Sequence, residues 1–157
     1  MQLLEPTDSG LYCRAADAWI DPSRPVPRAL ITHAHADHAR PGCGEYWAVD
    51  VSEGVLRQRL GRDITLHPMA YGQEFWLNQA CLSFHSAGHV LGSAQVRLKV
   101  NDSVWVVTGD YKRCADPSCA PFESVPCDVM ITEATFALPI YALSLIHISE
   151  PTRPVTI

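Results

Sequence analysis

The sequence contains no C-x-x-C pair, no apolar run approaching the roughly 20 residues that span a bilayer, and no excess of positive charge. Its six cysteines, Cys13, Cys43, Cys81, Cys114, Cys119 and Cys127, are irregularly spaced. The opening MQLLEPTDSG has neither a basic n-region nor an apolar h-region. A disulfide-framed exported domain is therefore not expected, and the thiols read as reduced in a soluble cytoplasmic protein with no membrane association. A structural zinc site on Cys114, Cys119 and Cys127 is the weaker alternative, because that spacing matches no regular ligand pattern. Lys and Arg total 12 against 17 Asp and Glu, a net charge of −5. That balance argues against the broad basic footprint of non-specific nucleic-acid binding. No internal repeat or low-complexity tract is present, and 157 residues at 47% apolar and 18% charged fit one globular domain.

What is present is concentrated. Of the seven histidines, three fall in ITHAHADHARPG, residues 31–42, where His33, His35, Asp37 and His38 lie within six positions. The preceding Arg28-Ala-Leu-Ile-Thr32 is apolar and β-branched enough for a buried strand, which places the cluster at a strand's carboxyl end. If the segment leaves that strand extended, residues 33, 35 and 37 share a face and His38 steps off it. The spacing then suits two adjacent metal ions better than one, with His33 and His35 on the first and Asp37 and His38 on the second. The ordinary reading, a solvated His-rich loop, weakens when two later segments are considered.

In SAGHVLGSAQ, residues 86–95, His89 is bracketed by Gly88 and Gly92 after the strand-like run 80–85. In VWVVTGDYKR, residues 104–113, a buried-looking strand ends at Gly109 and presents Asp110, a carboxylate placed to bridge two ions. Either residue alone reads more readily as a turn or packed group; three strand ends each offering a ligand reverse that balance. Elsewhere, Ser52 is expected to cap a helix ending at Gly61, and TLHPMAYGQEFWLN reads as short strands around a Gly72 turn. His67, before Pro68, reads as a loop residue, and His85 as a packed or rim histidine. Lys112 and Arg113 are candidates for a phosphate contact or, equally, for a solvated turn.

The succession His33-x-His35-x-Asp37-His38, His89, Asp110 resembles the first ligand motifs of the metallo-β-lactamase fold, an α/β, αββα sandwich of which this chain would supply the N-terminal portion. THAHADHARPG, SAGHVLGSAQ, TGDYKR and TEATFALPIY narrow the resemblance to the nucleic-acid-processing β-CASP branch, most closely the bacterial ligase-associated DNA-damage-response exonucleases, over residues 10–141. The resemblance implies that His33, His35 and His89 hold one Zn2+, Asp37 and His38 a second, and Asp110 bridges them, with Mn2+ as an alternative metal. Glu133 would support the site from outside the ligand set, and Asp37, His38, Asp110 and Glu133 would carry the catalytic work. The implied activity is a two-zinc DNA exonuclease, with a DNA ligase and a helicase of the same pathway as partners and RNA as the alternative substrate. A glyoxalase-like thioesterase and a non-catalytic metal scaffold are the competing readings. Thioesterases of that kind follow the Asp-His pair with a Gly-rich turn, whereas here it is Ala39-Arg40-Pro41, and loss of ligands marks a degenerate scaffold, whereas every early ligand is present here.

The late histidines that in the family protonate the leaving oxygen and complete the second zinc site have no counterpart here. From about residue 143, LSLIHISEPTRP departs from the pattern and resembles a translated sequencing-library adapter. The expected organisation is thus an N-terminal metallo-β-lactamase-like part over 1–142, a non-native tail over 143–157 and no β-CASP portion. His147 is accordingly not offered as the missing ligand, and the isolated chain is expected to be inactive and prone to aggregate through unpaired strand edges.

Overall fold

The computed structural model describes residues 2–134. The expected tail over 143–157, and the last seven residues of the TEATFALPIY motif, lie outside the described residues. Among the described residues, eleven strands form two sheets. The first contains β1 (Leu4–Thr7), β2 (Gly10–Cys13), β3 (Ala18–Ile20), β4 (Arg28–Leu30), β5 (Glu45–Val49) and β6 (Leu66–Met69), in that spatial order. Strands β1 to β3 pair antiparallel, and β3 to β6 pair parallel. The second sheet runs β11-β10-β9-β8-β7, built from β7 (Phe75–Leu77), β8 (Ala80–Ser86), β9 (Ala94–Val100), β10 (Ser103–Val107) and β11 (Val129–Ile131). It is antiparallel except for the β10–β11 pair.

The sheets are held face to face by a core that alternation along the strands assembles. Ile20, Leu30, Trp47 and Val49 of the first sheet meet Leu82, Phe84, Val96 and Leu98 of the second. The first sheet's other face buries Ala29, Tyr46 and Ala48 against Leu56 and Leu60 of helix α1 (Glu53–Leu60). Covered on both faces, β4 and β5 read as near-continuous apolar runs, as parallel strands do. The two-sheet α/β architecture expected from the sequence is the one observed. Phe84 is fully buried between the sheets and stacks on Phe75 at 5.7 Å. Phe84→Ala is expected to destabilise the fold by about 3–5 kcal/mol, read as a lowered urea midpoint with an unchanged slope.

Two local expectations are corrected and two are met. Ser52 occupies the helix N-cap position but caps nothing, because it ends a 3-10 turn (Asp50–Ser52) in helical geometry and donates its hydroxyl to Val49 O at 2.6 Å. Short strands do flank a turn at Gly72, as expected; β6 belongs to the first sheet and β7 to the second, so the turn carries the chain across the sandwich. His67 lies in β6 rather than a loop, stacked on Trp47 at 4.4 Å and paired with Glu45 at 2.9 Å. Pro68 is tolerated beside it because β6 is an edge strand. His85 is, as expected, a partly buried rim residue, with its Nδ1 2.9 Å from Glu123.

Candidate metal centre

Three loops leave strand carboxyl ends at the same end of the sandwich. The first follows β4. Residues 33–39 do not continue extended, as expected above, but wind into a turn in which His38 N and Ala39 N both donate to His35 O, at 3.2 and 2.8 Å. Convergence of His33, His35 and His38 thus comes from a tight turn rather than strand alternation, and Ala34 and Ala39, both buried, leave it room. The second loop follows β8, where Gly88 and Gly92 adopt φ of +69° and +72°. A Cβ at Gly92 would lie 2.5 Å from that of Ser52, so only glycine lets this loop close on the first sheet's side. Ser93 then sets His89, its hydroxyl accepting from His89 N at 3.0 Å and Val90 N at 3.2 Å. The third follows β10 and presents Asp110.

One ligand atom from each of His33, His35, His89 and Asp110 lies within 4.8 Å of all the others. His33 Nε2 is 2.9 Å from His35 Nδ1, and the buried His89 Nε2 has no hydrogen-bond partner. Asp110 divides its oxygens: Oδ2 faces His33 at 3.7 Å and His89 at 3.8 Å, whereas Oδ1 faces His38 Nε2 at 3.4 Å. Asp37 Oδ2 is 3.5 Å from His38 Nε2, with Asp37 largely exposed. Glu133 stands just beyond β11, where it accepts from Tyr111 N at 3.3 Å, one residue past Asp110. All seven candidate residues therefore gather at one end of the fold, four of them in a single compact donor group.

The sequence reading missed the residue that organises them. Asp21, following β3, accepts from Thr32 N at 2.8 Å, from Thr32 Oγ1 at 2.6 Å and from His38 Nδ1 at 2.7 Å. Since the Thr32 hydroxyl donates to Asp21, its oxygen accepts from His33 Nδ1 at 3.1 Å. Both histidines thereby carry a proton on Nδ1 and direct Nε2 toward the cluster, the orientation metal-binding imidazoles require. The available signal was the strand-then-acid context of AWID, the same context that drew attention to Asp110. Asp21 is also held at φ +44°, an uncommon conformation for a residue with a side chain. Asp21→Asn is expected to weaken divalent-metal affinity about 10- to 100-fold, measured by calorimetric titration, while the chain keeps its far-ultraviolet dichroism.

Electrostatics fit the same donor set. Burial drives the His33 pKa down to about 3, reinforced by the charge of His38 and by His35 and His89, with Asp110 opposing. Burial also lowers His89. Burial alone would lower His38 too, but contacts with Asp110 and Asp21 outweigh it and raise its pKa to about 10. The His38 contact is the main reason the Asp110 carboxyl falls below its usual range. His33 and His89 thus offer neutral imidazole lone pairs beside an ionised carboxylate, the donor chemistry that zinc accepts, whereas His38 has to release its Nε2 proton to bind an ion. Beside it opens a cavity of about 310 Å³ lined by Leu11, Ile20, Asp21, His38, Asp110 and Glu133, among others.

No family model matches the chain. Over 134 residues, 84% of its length, it is 31% identical to "Probable DNA ligase" from Opitutus terrae, of which it spans 13%. It is 43% identical over 61 residues, 35% of its length, to "Transcription termination factor FttA" from Methanosarcina mazei, of which it spans 9%. Among solved structures, Rm3 metallo-β-lactamase aligns at a TM-score of 0.51 and 16% identity, covering 82% of this chain and 70% of that one. No helix among the described residues is long and apolar enough to cross a membrane. Two face-to-face sheets in this strand order, with the histidine and aspartate loops gathered at one end, give this chain the metallo-β-lactamase fold.

Proposed function

We propose that this chain is the N-terminal part of a two-metal phosphodiesterase, a β-CASP-type exonuclease that acts on DNA ends in company with a ligase and a helicase. The observation that carries the reading is the unpartnered, buried His89 Nε2 aimed into a four-residue donor group. His33, His35 and His89 would hold one ion, Asp37 and His38 the other, and Asp110 would reach both, since its two oxygens face the two halves. An ion held by these residues would supply Lewis acidity toward a phosphoryl oxygen and, if zinc, would lower the pKa of bound water from 15.7 to about 7. Asp21 and Thr32 fix the ring orientations, and Glu133 steadies the backbone after Asp110. Likeness to a relative named as a DNA ligase favours DNA as substrate. Likeness to a transcription termination factor favours RNA as the second reading.

The deciding experiment takes the complete parent protein, zinc-loaded, with end-labelled DNA and RNA strands of one sequence. Stepwise release of nucleotides from DNA, abolished by chelation and restored by Zn2+ or Mn2+, is the expected result. Zinc binding without hydrolysis of either strand would replace the enzyme with a scaffold, and cleavage of a thioester alone would make it a small-molecule hydrolase.

A further inference from the structure

Two aromatic residues that the metal centre does not use stand beside it. Tyr111 follows Asp110 directly, and its ring lies 5.6 Å from that of Phe122, tilted by 45°. Both are partly exposed. Their place is fixed by the loop that carries His89. Lys112 N donates to Ala87 O at 2.9 Å, and Glu123 N donates to Ser86 O at 3.0 Å, so the two aromatic segments run along the same loop root. A Cβ at Gly88 would lie 2.8 Å from Phe122 N and closer still to Lys112 O, and this close approach is open only to glycine. One ring is thus covalently next to a metal-ligand candidate, and the other packs against the residue next to a second.

The carboxylates around the pair each have a partner: Asp110 belongs to the metal centre, and Glu133 accepts from Tyr111 N at 3.3 Å. Of the carboxylates on this loop, Asp116 is bound by Lys112 Nζ at 3.0 Å and by the Ser118 hydroxyl at 2.6 Å. That of Glu123 is held by His85 Nδ1 at 2.9 Å. Arg113 projects from the same segment and is exposed. Aromatic faces next to a free cation form the usual combination that receives an unpaired base and its phosphate.

We infer that Tyr111 and Phe122 form a stacking platform for the unpaired terminal bases of a DNA strand, with Arg113 on the neighbouring phosphate, so that the site takes single-stranded ends in preference to blunt duplex. This rests on the phosphodiesterase reading above and names its substrate class. In a duplex the bases already stack on one another and offer no free face.

The test reads binding, not turnover, so it does not depend on a loaded metal site. Anisotropy of a fluorescently labelled single-stranded DNA oligonucleotide is followed with the complete parent protein. Tyr111→Ala is expected to weaken binding about 5- to 150-fold, and Tyr111→Phe to hold it within about twofold. Phe122→Leu, which keeps bulk against Gly88, should weaken it in the same range. An oligonucleotide with abasic sites at its terminal positions should bind the wild type as weakly as the intact strand binds Tyr111→Ala, and a blunt duplex should not distinguish the variants. Equal affinity of wild type and both variants for the intact strand overturns the platform alone. A wild type that binds zinc but no DNA strand overturns the nuclease reading together with it.

Discussion

Replacing His35 by alanine is expected to remove divalent-metal uptake while leaving the fold intact. The side chain is exposed, so its loss opens no core cavity, yet its Nδ1 lies 2.9 Å from His33 Nε2 within the four-residue donor group. Deleting a direct ligand should exceed the roughly 10- to 100-fold loss typical of groups that only orient ligands, the class in which Asp21→Asn falls. A ligand that binds only the native state stabilises it by about 2.7 kcal/mol at 100 times its dissociation constant. Wild type should therefore melt at a higher temperature with Zn2+ than without, and His35→Ala should melt at one temperature in both conditions. Metal content after dialysis provides the second readout. A variant that gains the same stability from Zn2+ as wild type would remove His35 from the centre.

Gly109→Ala should destabilise the chain by about 2–5 kcal/mol and lower its melting temperature by roughly 6–20 °C. Two effects combine. At φ +55° a side chain meets left-handed backbone strain of about 1–2 kcal/mol. The new Cβ would also lie 2.7 Å from Thr32 Cβ and 2.8 Å from its hydroxyl oxygen. Thr32 cannot move aside: it is buried, bound twice by Asp21, and its carbonyl accepts from Ala94 N at 2.8 Å across to the other sheet. Overpacking of that kind adds about 1–3 kcal/mol. Gly72→Ala separates the two effects, because its φ is +75° but no atom lies within 4 Å of the new Cβ. It should lose only the strain component. If both variants melt alike, close approach to Thr32 is not what glycine at 109 provides.

His33, His35, His89 and Asp110 could be marked as potential ligands from sequence because each stands just past an apolar, β-branched run, and that local pattern survives in the fold as a strand followed by a loop. Strands β4, β8 and β10 were legible for the same reason, whereas their arrangement in two sheets was implied by the resemblance to the metallo-β-lactamase fold, and β5 and β9 were not read as strands. The geometry within the first motif was not. Extended alternation was a fair expectation for HAHADH, but hydrogen bonds back to His35 O wind it into a turn, and a turn of this kind leaves no two-residue periodicity to read. His67 was misplaced because a proline at an edge strand and a proline in a loop look the same locally; pairing of His67 with Trp47 across β5 and β6 decides between them.

By itself the sequence determined which side chains could bind a metal, and that they sit at strand ends, since residue type and hydrophobic period are local properties. Only the tertiary structure decided that three loops separated by some 75 residues of chain meet within 4.8 Å, and which oxygen of Asp110 faces which histidine. It alone decided Asp21's part as well. A carboxylate that acts by fixing the protons of His33, through Thr32, and of His38 is defined by contacts across eleven and seventeen residues, and such contacts exist only once the sheet has brought β3 beside β4.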